Sequence, residues 1–309
     1  EARVSALAEF AEVIADQRAQ PSQQPAQDVA QQLPFDLAIL VAPQSRALAR
    51  RWMLEARTQL HEGGRLLLVG ANEGGVRSLI DDAAALFGSA HTLLVKRRAR
   101  VAQAVRTPAA PMPAWAEQPG IAPGTWHSFA AALPSGTHTL HSLPGVFSYE
   151  RLDTGTALLL AHMGQVTGSR VLDLGCGYGV LGLAAALSGA AQVDMLDDDL
   201  YAVAAAARNV SELGLTQVRV MAAHGRTSEF RGPYDLVITN PPFHQGKATD
   251  FRAAQGFFSY ARELLAAQGR LLLVANSFLR YADLLGEQFA SVTPLIRTPS
   301  FTVWQAQAG

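Results

Sequence analysis

Short apolar segments that favour extended structure alternate with helical segments through most of this chain. A strand–helix alternation of this kind predicts a doubly wound, mostly parallel sheet covered by helices on both faces. Ligands of such sheets bind at the carboxyl ends of the strands. The fold class predicted is therefore α/β, and the last apolar segments predict a C-terminal β-hairpin. The parallel strands are expected at 35–42, 65–70, 91–95, 170–174, 192–196, 218–222, 236–240 and 270–274, and the hairpin at 291–293 and 301–304.

Two pairs of segments repeat along the chain. The sequence at 35–39 parallels the sequence at 234–238, and about 30 residues later 64–69 parallels 269–274. A helix is predicted between the members of each pair. This repetition indicates a duplicated α/β unit. The alternative, that buried parallel strands merely resemble one another, remains open.

A Pro- and Ala-rich stretch at 107–123, followed by a poorly periodic segment that extends to about residue 137, separates the two copies. We place the boundary at its end, so that residues 1–136 and 137–309 form two domains. Residues 1–34 contain no glycine, and the first copy therefore has no glycine-rich nucleotide loop before its first predicted strand. The first domain is predicted to be a degenerate copy with a substrate-binding or structural role.

A glycine-rich turn follows the predicted strand at 170–174. Gly175, Gly177 and Gly179 allow the backbone to adopt positive φ and to approach a ligand closely. The sequence at 177–182 also matches the dinucleotide fingerprint, but the carboxylate of Asp173 at the strand end does not favour a pyrophosphate. An acid beside such a loop suits S-adenosylmethionine, which carries an ammonium and a sulfonium. Asp173 is expected to contact this cofactor or to hold the loop.

Acidic and imidazole side chains follow the next two predicted strands. Asp197 ends one of them, about 20 residues after the loop, where a carboxylate accepts hydrogen bonds from ribose hydroxyls. Asp198 is a further cofactor candidate, or a charge in the first turn of the next helix. His224, after the strand at 218–222, is predicted to border the adenine ring, or to be a solvated loop histidine.

The predicted strand at 236–240 ends at Asn240, and Pro241, Pro242 and Phe243 follow it. The prolines remove two backbone donors, so that an amide oxygen and carbonyl groups remain to accept hydrogen bonds beside an aromatic face. The corresponding position of the first copy, 41–44, keeps a proline but has neither asparagine nor aromatic. Stopping the strand therefore does not require those residues, and they are candidate catalytic groups.

The net charge does not indicate a nucleic-acid partner, since the chain has 25 basic and 26 acidic residues. Lys96, Arg97 and Arg98 form a local basic patch that is either a substrate contact or a solvated edge. The one cysteine, Cys176, excludes an intrachain disulfide and indicates a cytoplasmic protein. No metal-ligand spacing and no apolar run of about 18 residues are present. We expect a monomer without metal or membrane segment.

The loop at 173–179 followed by 240–243 resembles class I S-adenosylmethionine-dependent methyltransferases. The chain is also similar to the ribosomal RNA small-subunit methyltransferase C family and to its large-subunit relative, the methyltransferase G family. This narrower resemblance is carried by the segments 143–148, 152–156 and 240–246. The resemblance implies two tandem methyltransferase-like domains of which the second is catalytic, methylation of guanine N2, and a partner that is ribosomal RNA or an assembled subunit, the small one favoured. S-adenosylhomocysteine is the implied product. Phe147 and Ser148 are expected to close over the cofactor, and His224 departs from the usual Asn or Asp.

The motif at 240–244 predicts how an amino nitrogen is methylated. Asn240 Oδ1 and the Pro241 carbonyl are expected to accept the two amino protons, and Phe243 to stack on the base. Pro242 and His244 are expected on the substrate side. Adenine N6 and a protein glutamine remain alternative substrates, and a cofactor-sensing RNA-binding protein without turnover remains an alternative function.

Overall fold

The computed structural model describes residues 34–108, 110–223, 231–241 and 248–309, with side chains from residue 254 onward in the last range. The chain divides into two compact units, Glu1–Thr125 and Trp126–Gly309. The sequence-based boundary after residue 136 falls at the first residue of a strand of the second unit. Each unit has its own hydrophobic core among the described residues.

The first unit contains a four-stranded sheet in the order β1-β2-β4-β3. Strands β1 and β2 are parallel, whereas β4 is antiparallel to both β2 and β3. Leu40, Leu66 and Leu68 of this sheet share one buried cluster with side chains of the two helices. The elements are β1 (Phe35–Val41), α1 (Arg46–Gln59), β2 (Leu60–Ala71), α2 (Val76–Phe87), β3 (Ala90–Lys96) and β4 (Ala99–Val105).

The second unit contains a seven-stranded sheet in the order β12-β13-β11-β10-β7-β8-β9 and a separate two-stranded hairpin, β5-β6. Five neighbouring strands are parallel to one another: β11, β10, β7, β8 and β9. Strand β13 is antiparallel to both of its neighbours, β11 and β12. The predicted doubly wound α/β fold with a C-terminal β-hairpin is confirmed.

The elements of the second unit are β5 (His127–Leu133), β6 (Gly136–Ser142), α3 (Thr154–Ala161), β7 (Arg170–Leu174), α4 (Val180–Leu187), β8 (Gln192–Asp197), α5 (Leu200–Glu212), β9 (Val218–Ala222), β10 (Tyr234–Thr239), α6 (Ala248–Leu264), β11 (Leu265–Asn276), α7 (Tyr281–Gly286), β12 (Ser291–Arg297) and β13 (Phe301–Gln307).

The strand order reverses at β7, because the chain places β8 on one side of it and β10 on the other. At such a switch point the loops that follow neighbouring strands separate and leave a crevice. The loops after β7 and β10 carry the glycine-rich sequence and Asn240, respectively. The topology therefore places both predicted motifs at the same edge of the sheet.

The predicted repeat is visible in the sheets. The order β1-β2-β4-β3 in the first unit has the same strand directions as β10-β11-β13-β12 in the second. Leu37 pairs with Arg65 in the first copy, and Leu236 pairs with Arg270 in the second, each after a register shift. Within residues 34–108, the first unit has no counterpart of the β7–α4 turn.

The alternation of apolar segments does not predict β4, β5 or β6. β5 and β6 place Ala131, Leu133 and Leu140 in the core, and the remaining positions are mostly small or polar. So few buried positions leave a weak pattern in the sequence.

Candidate active site

The turn between β7 and α4 needs glycine at three alternate positions. Gly175, Gly177 and Gly179 have φ values of 73°, 55° and 89°, in the left-handed region that favours glycine. The N–H groups of Gly175 and Cys176 donate to the Leu196 carbonyl at 2.8 and 2.9 Å. These bonds tie the turn to the carboxyl end of β8.

Asp197, the last residue of β8, holds the same turn through its carboxylate. Its Oδ2 accepts the Gly177 N–H at 2.7 Å, and its Oδ1 accepts the Asp199 N–H at 3.0 Å. Burial raises the pKa of Asp197 even though both hydrogen bonds oppose the shift. The acid that was expected to bind ribose is thus in place at the cavity wall and also orders the glycine-rich turn.

Asp173 lies beneath the turn and does not belong to the cavity lining. It is fully buried, and its Oδ2 accepts the Gly182 N–H of α4 at 2.9 Å. Its Oδ1 has no hydrogen-bond partner among the described residues. Of the two roles expected for Asp173, these contacts favour holding the loop over direct contact with a cofactor.

A cavity of about 830 Å³ opens at the carboxyl ends of β7, β8 and β10. Its lining contains most of the predicted site residues that the structure describes, and it adds Thr156 and side chains of α6. Ser148 and Gly179 do not line it; the Ser148 hydroxyl donates to the Arg151 carbonyl at 2.7 Å. The predicted residues in the lining are Phe147, Gly175, Gly177, Asp197, Asp198, Asn240 and Pro241.

Asn240 is positioned by contacts on both sides of the β10 terminus. The Thr239 hydroxyl donates to the Leu174 carbonyl at 2.7 Å and so joins the ends of β10 and β7. Asn240 Nδ2 donates to Thr156 Oγ1 at 2.8 Å, whereas its Oδ1 is buried without a hydrogen-bond partner in the described part of the chain. A buried acceptor without a partner is an exception in folded proteins, and it marks Asn240 as a candidate contact for an N–H group of a ligand.

His224, Pro242, Phe243 and His244 lie outside the described residues. Lys96, Arg97 and Arg98 belong to the first unit, at the exposed turn between β3 and β4, where Arg98 lies 3.5 Å from Glu73.

Asn209 is a supporting residue that belongs to none of the sequence motifs. It is 1% exposed, and its Nδ2 donates to the carbonyls of Tyr178 and His141, both at 2.9 Å. Its Oδ1 accepts the His141 N–H at 2.8 Å. The signal in the sequence is a polar residue on the apolar face of α5, three residues after the buried Ala206.

The stability of the protein is expected to fall as the pH rises from about 4 to 7, because of Asp173. Burial raises the pKa of Asp173 to about 7, with a smaller contribution from Asp197. The folded state therefore binds a proton that the unfolded chain has released in this pH range. The side chain of Asp173→Asn stays neutral and can still accept the Gly182 N–H. The unfolding free energy of the variant should therefore depend less steeply on pH, by an amount that corresponds to up to about one bound proton.

This expectation is tested by urea unfolding of both proteins at several pH values between about 4.5 and 7.5. Asp283→Asn serves as the control, because the Asp283 side chain is 63% exposed and forms a surface ion pair with Arg280. Equal slopes of unfolding free energy against pH for the wild type and Asp173→Asn would refute the assignment. The pKa of Asp197 is also raised, so the unfolding free energy of Asp173→Asn should still fall with pH, but with a smaller slope than that of the wild type.

Among the residues that the structure describes, no three His, Cys, Asp or Glu side chains are grouped to hold a metal ion. No described helix is both long and apolar enough to span a membrane.

Two family models match this chain in tandem. The model "Methyltransferase small domain" matches residues 137–305, and "Methyltransferase small domain N-terminal" matches residues 2–112. Two relatives, both named ribosomal RNA small subunit methyltransferase C, come from Pseudoalteromonas atlantica and Pseudomonas entomophila. The first is 35% identical over 87% of this chain and 76% of the relative, and the second is 36% identical over 89% and 80%.

A solved structure shares the fold over most of the chain. It is the T. thermophilus 16S rRNA N2 methyltransferase RsmC in complex with AdoMet and guanosine. The TM-score is 0.76 at 31% identity, and the match covers 89% of this chain and 73% of that one.

Proposed function

The chain belongs to the ribosomal RNA small subunit methyltransferase C family, and from this we propose that it methylates guanine N2 in small-subunit ribosomal RNA with S-adenosylmethionine. The observation that carries the proposal is that Asn240 lines the cavity while its buried Oδ1 has no hydrogen-bond partner among the described residues. A buried acceptor without a partner is costly, and a ligand amino group relieves that cost. The T. thermophilus neighbour, solved with AdoMet and guanosine, supports this pair of ligands.

The cavity residues fit S-adenosylmethionine. The positive-φ glycines provide a wall without side chains, and the carboxylates of Asp197 and Asp198 suit ribose hydroxyls. Phe147 lies in the lining and is 57% exposed, as expected of a residue that covers a ligand. The bound cofactor supplies an electrophilic methyl group on its sulfonium.

The contribution of Asn240 and Pro241 is to orient the amino nitrogen. The lone pair of an exocyclic amino group is delocalised into the ring, which makes the nitrogen a poor nucleophile. When Asn240 Oδ1 and the Pro241 carbonyl accept its two N–H groups, the lone pair points out of the base plane toward the methyl donor. Positioning and exclusion of water then provide most of the acceleration. Phe243 is proposed to stack on the base.

The two domains are proposed to divide the work. Residues 137–309 carry the reaction, and residues 1–136 form a degenerate copy that binds substrate or supports the catalytic domain. Val41 stands where the second copy has Asn240, and it is 60% exposed. Lys96, Arg97 and Arg98 remain candidate RNA contacts. We also propose a monomeric protein that acts in the cytoplasm, where its RNA substrate is assembled.

The proposal is tested with tritiated S-adenosylmethionine and the full chain, using naked 16S rRNA, small subunits and large subunits as separate substrates. The label is expected in N2-methylguanosine after digestion of small-subunit RNA to nucleosides. Label in N6-methyladenosine or in protein would contradict the guanine assignment. Cofactor binding without label in any substrate would favour the non-catalytic alternative.

A further inference from the structure

The two ends of the Asn240 amide have different surroundings. Nδ2 faces two oxygen atoms, Thr156 Oγ1 at 2.8 Å and Asp153 Oδ2 at 3.4 Å. Oδ1 has no hydrogen-bond partner among the described residues, and Asn240 itself lines the cavity. Donor and acceptor ends of the amide therefore have different environments, and the acceptor end is buried and unpaired among the described residues.

An asparagine amide has nearly the same shape after a 180° rotation, so only its hydrogen-bond partners decide which end faces the cavity. The hydroxyl of Thr156 donates to Asp153 Oδ2 at 3.2 Å. Its hydrogen is thereby engaged, and its oxygen is left to accept from Asn240. A carboxylate such as that of Asp153 can only accept. A rotated Asn240 would place Oδ1 about where Nδ2 now lies, 3.4 Å from the Asp153 carboxylate, and could keep its contact with Thr156 only if that hydroxyl turned away from Asp153 and lost its own bond to the carboxylate.

Asp153 is itself held rigidly. It caps the N-terminus of α3, where its Oδ2 accepts the Thr156 N–H at 2.8 Å. A carboxylate is favoured at this end of a helix by the helix dipole. The next residue but one, Gly155, lies against the Phe301 ring so closely that an added Cβ would be 3.0 Å from it. The first turn of α3 is therefore fixed against β13.

We infer that Asp153 is a positioning residue that sets the orientation of the Asn240 amide, and through it the selection of an amino group over a carbonyl oxygen at the reacting position. The inference rests on the proposed function. Asp153 does not belong to the cavity lining, whereas Thr156 and Asn240 do. Its effect on the substrate must pass through these two residues. With the amide reversed, Nδ2 would take the position of Oδ1 and would favour a carbonyl group such as guanine O6.

The test uses two substitutions at Asp153 that both preserve helix capping. Asp153→Ser caps α3, but its shorter side chain does not reach Asn240. Asp153→Asn keeps one oxygen that can make all three contacts of Oδ2. We expect kcat to fall about 30-fold in Asp153→Ser and less than about fivefold in Asp153→Asn, with cofactor affinity unchanged in both. A role limited to helix capping predicts no difference between the two variants.

A double-mutant cycle distinguishes an effect through Asn240 from an independent one. In the Asn240→Ala background, Asp153→Ser should lower kcat by less than about threefold. Losses that multiply in the double variant would overturn the inference. If Asp153→Ser does not fold, Thr156→Val replaces it in the same cycle, since it removes the hydroxyl and keeps the shape of the side chain.

A measurement without substrate separates this inference from the proposed function. In protein labelled with ¹⁵N-asparagine, the Asn240 side-chain signals are identified by their loss in Asn240→Ala. Their amide protons should exchange slowly in the wild type and in Asp153→Asn, and about tenfold faster in Asp153→Ser. Equal exchange in all three proteins would refute the positioning role. Failure of the proposed function would appear instead as a wild type that forms no N2-methylguanosine.

Discussion

Replacing Asn240 with alanine is expected to lower kcat for methyl transfer about 1000-fold, which corresponds to about 4 kcal/mol of lost transition-state stabilisation. The variant removes the acceptor that holds one amino proton, and the lone pair is then no longer directed at the methyl group. Cofactor affinity should change less than about tenfold, because the glycine-rich turn and Asp197 are untouched. Single-turnover kinetics and equilibrium binding of S-adenosylmethionine measure the two quantities separately.

Asn276→Ala is the matched control for this substitution. Asn276 ends β11, the strand parallel to β10, but it does not line the cavity. Its activity should remain within about threefold of the wild type, as for a substitution outside the site. An Asn240→Ala variant that retains more than a tenth of the wild-type kcat would exclude the proposed role of the amide.

Asp197→Ala is expected to weaken S-adenosylmethionine binding by a factor on the order of 100 to 1000. Two losses add in this variant. The ribose loses a charged acceptor, and the Gly177 and Asp199 N–H groups lose the carboxylate that they share at 2.7 and 3.0 Å. Asp197→Asn, which keeps one acceptor oxygen but no charge, should lie between the alanine variant and the wild type. Isothermal titration calorimetry provides the dissociation constants.

A thermal unfolding scan of each variant shows whether the losses reflect the site or the fold. Asp283→Ala is the control, since its exposed ion pair with Arg280 contributes little to stability. Cofactor affinity of Asp197→Ala within about threefold of the wild type would mean that the ribose is held elsewhere.

The proposed division of work between the two copies has a counterpart in the structure. The strands β1-β2-β4-β3 repeat the order and directions of β10-β11-β13-β12. Asn240 at the end of β10 contacts Thr156 of α3 and Asp153, the N-cap of that helix. The described residues of the first unit have Val41 at the corresponding position, where an exposed apolar side chain offers no acceptor.

The sequence predicts the architecture well, because the signals for it are local. Apolar segments between glycine and proline residues predict the parallel strands, and an acid before alternate glycines predicts the β7–α4 turn. These patterns arise from backbone conformation and from burial of neighbouring side chains, both of which act within a few residues. The hairpin β5-β6 escapes prediction, since it buries few side chains.

The sequence by itself determined the α/β fold, the repeat, and the identity of the residues at the ends of β7, β8 and β10. Only the tertiary structure decided what those residues do to one another. Asp173 does not line the cavity and accepts the Gly182 N–H, and the Asn240 amide contacts partners 84 and 87 positions earlier in the chain. The physical reason is that hydrogen bonds between side chains so distant in sequence leave no periodicity or spacing from which they can be predicted; they exist once the folded sheet brings its strand ends together.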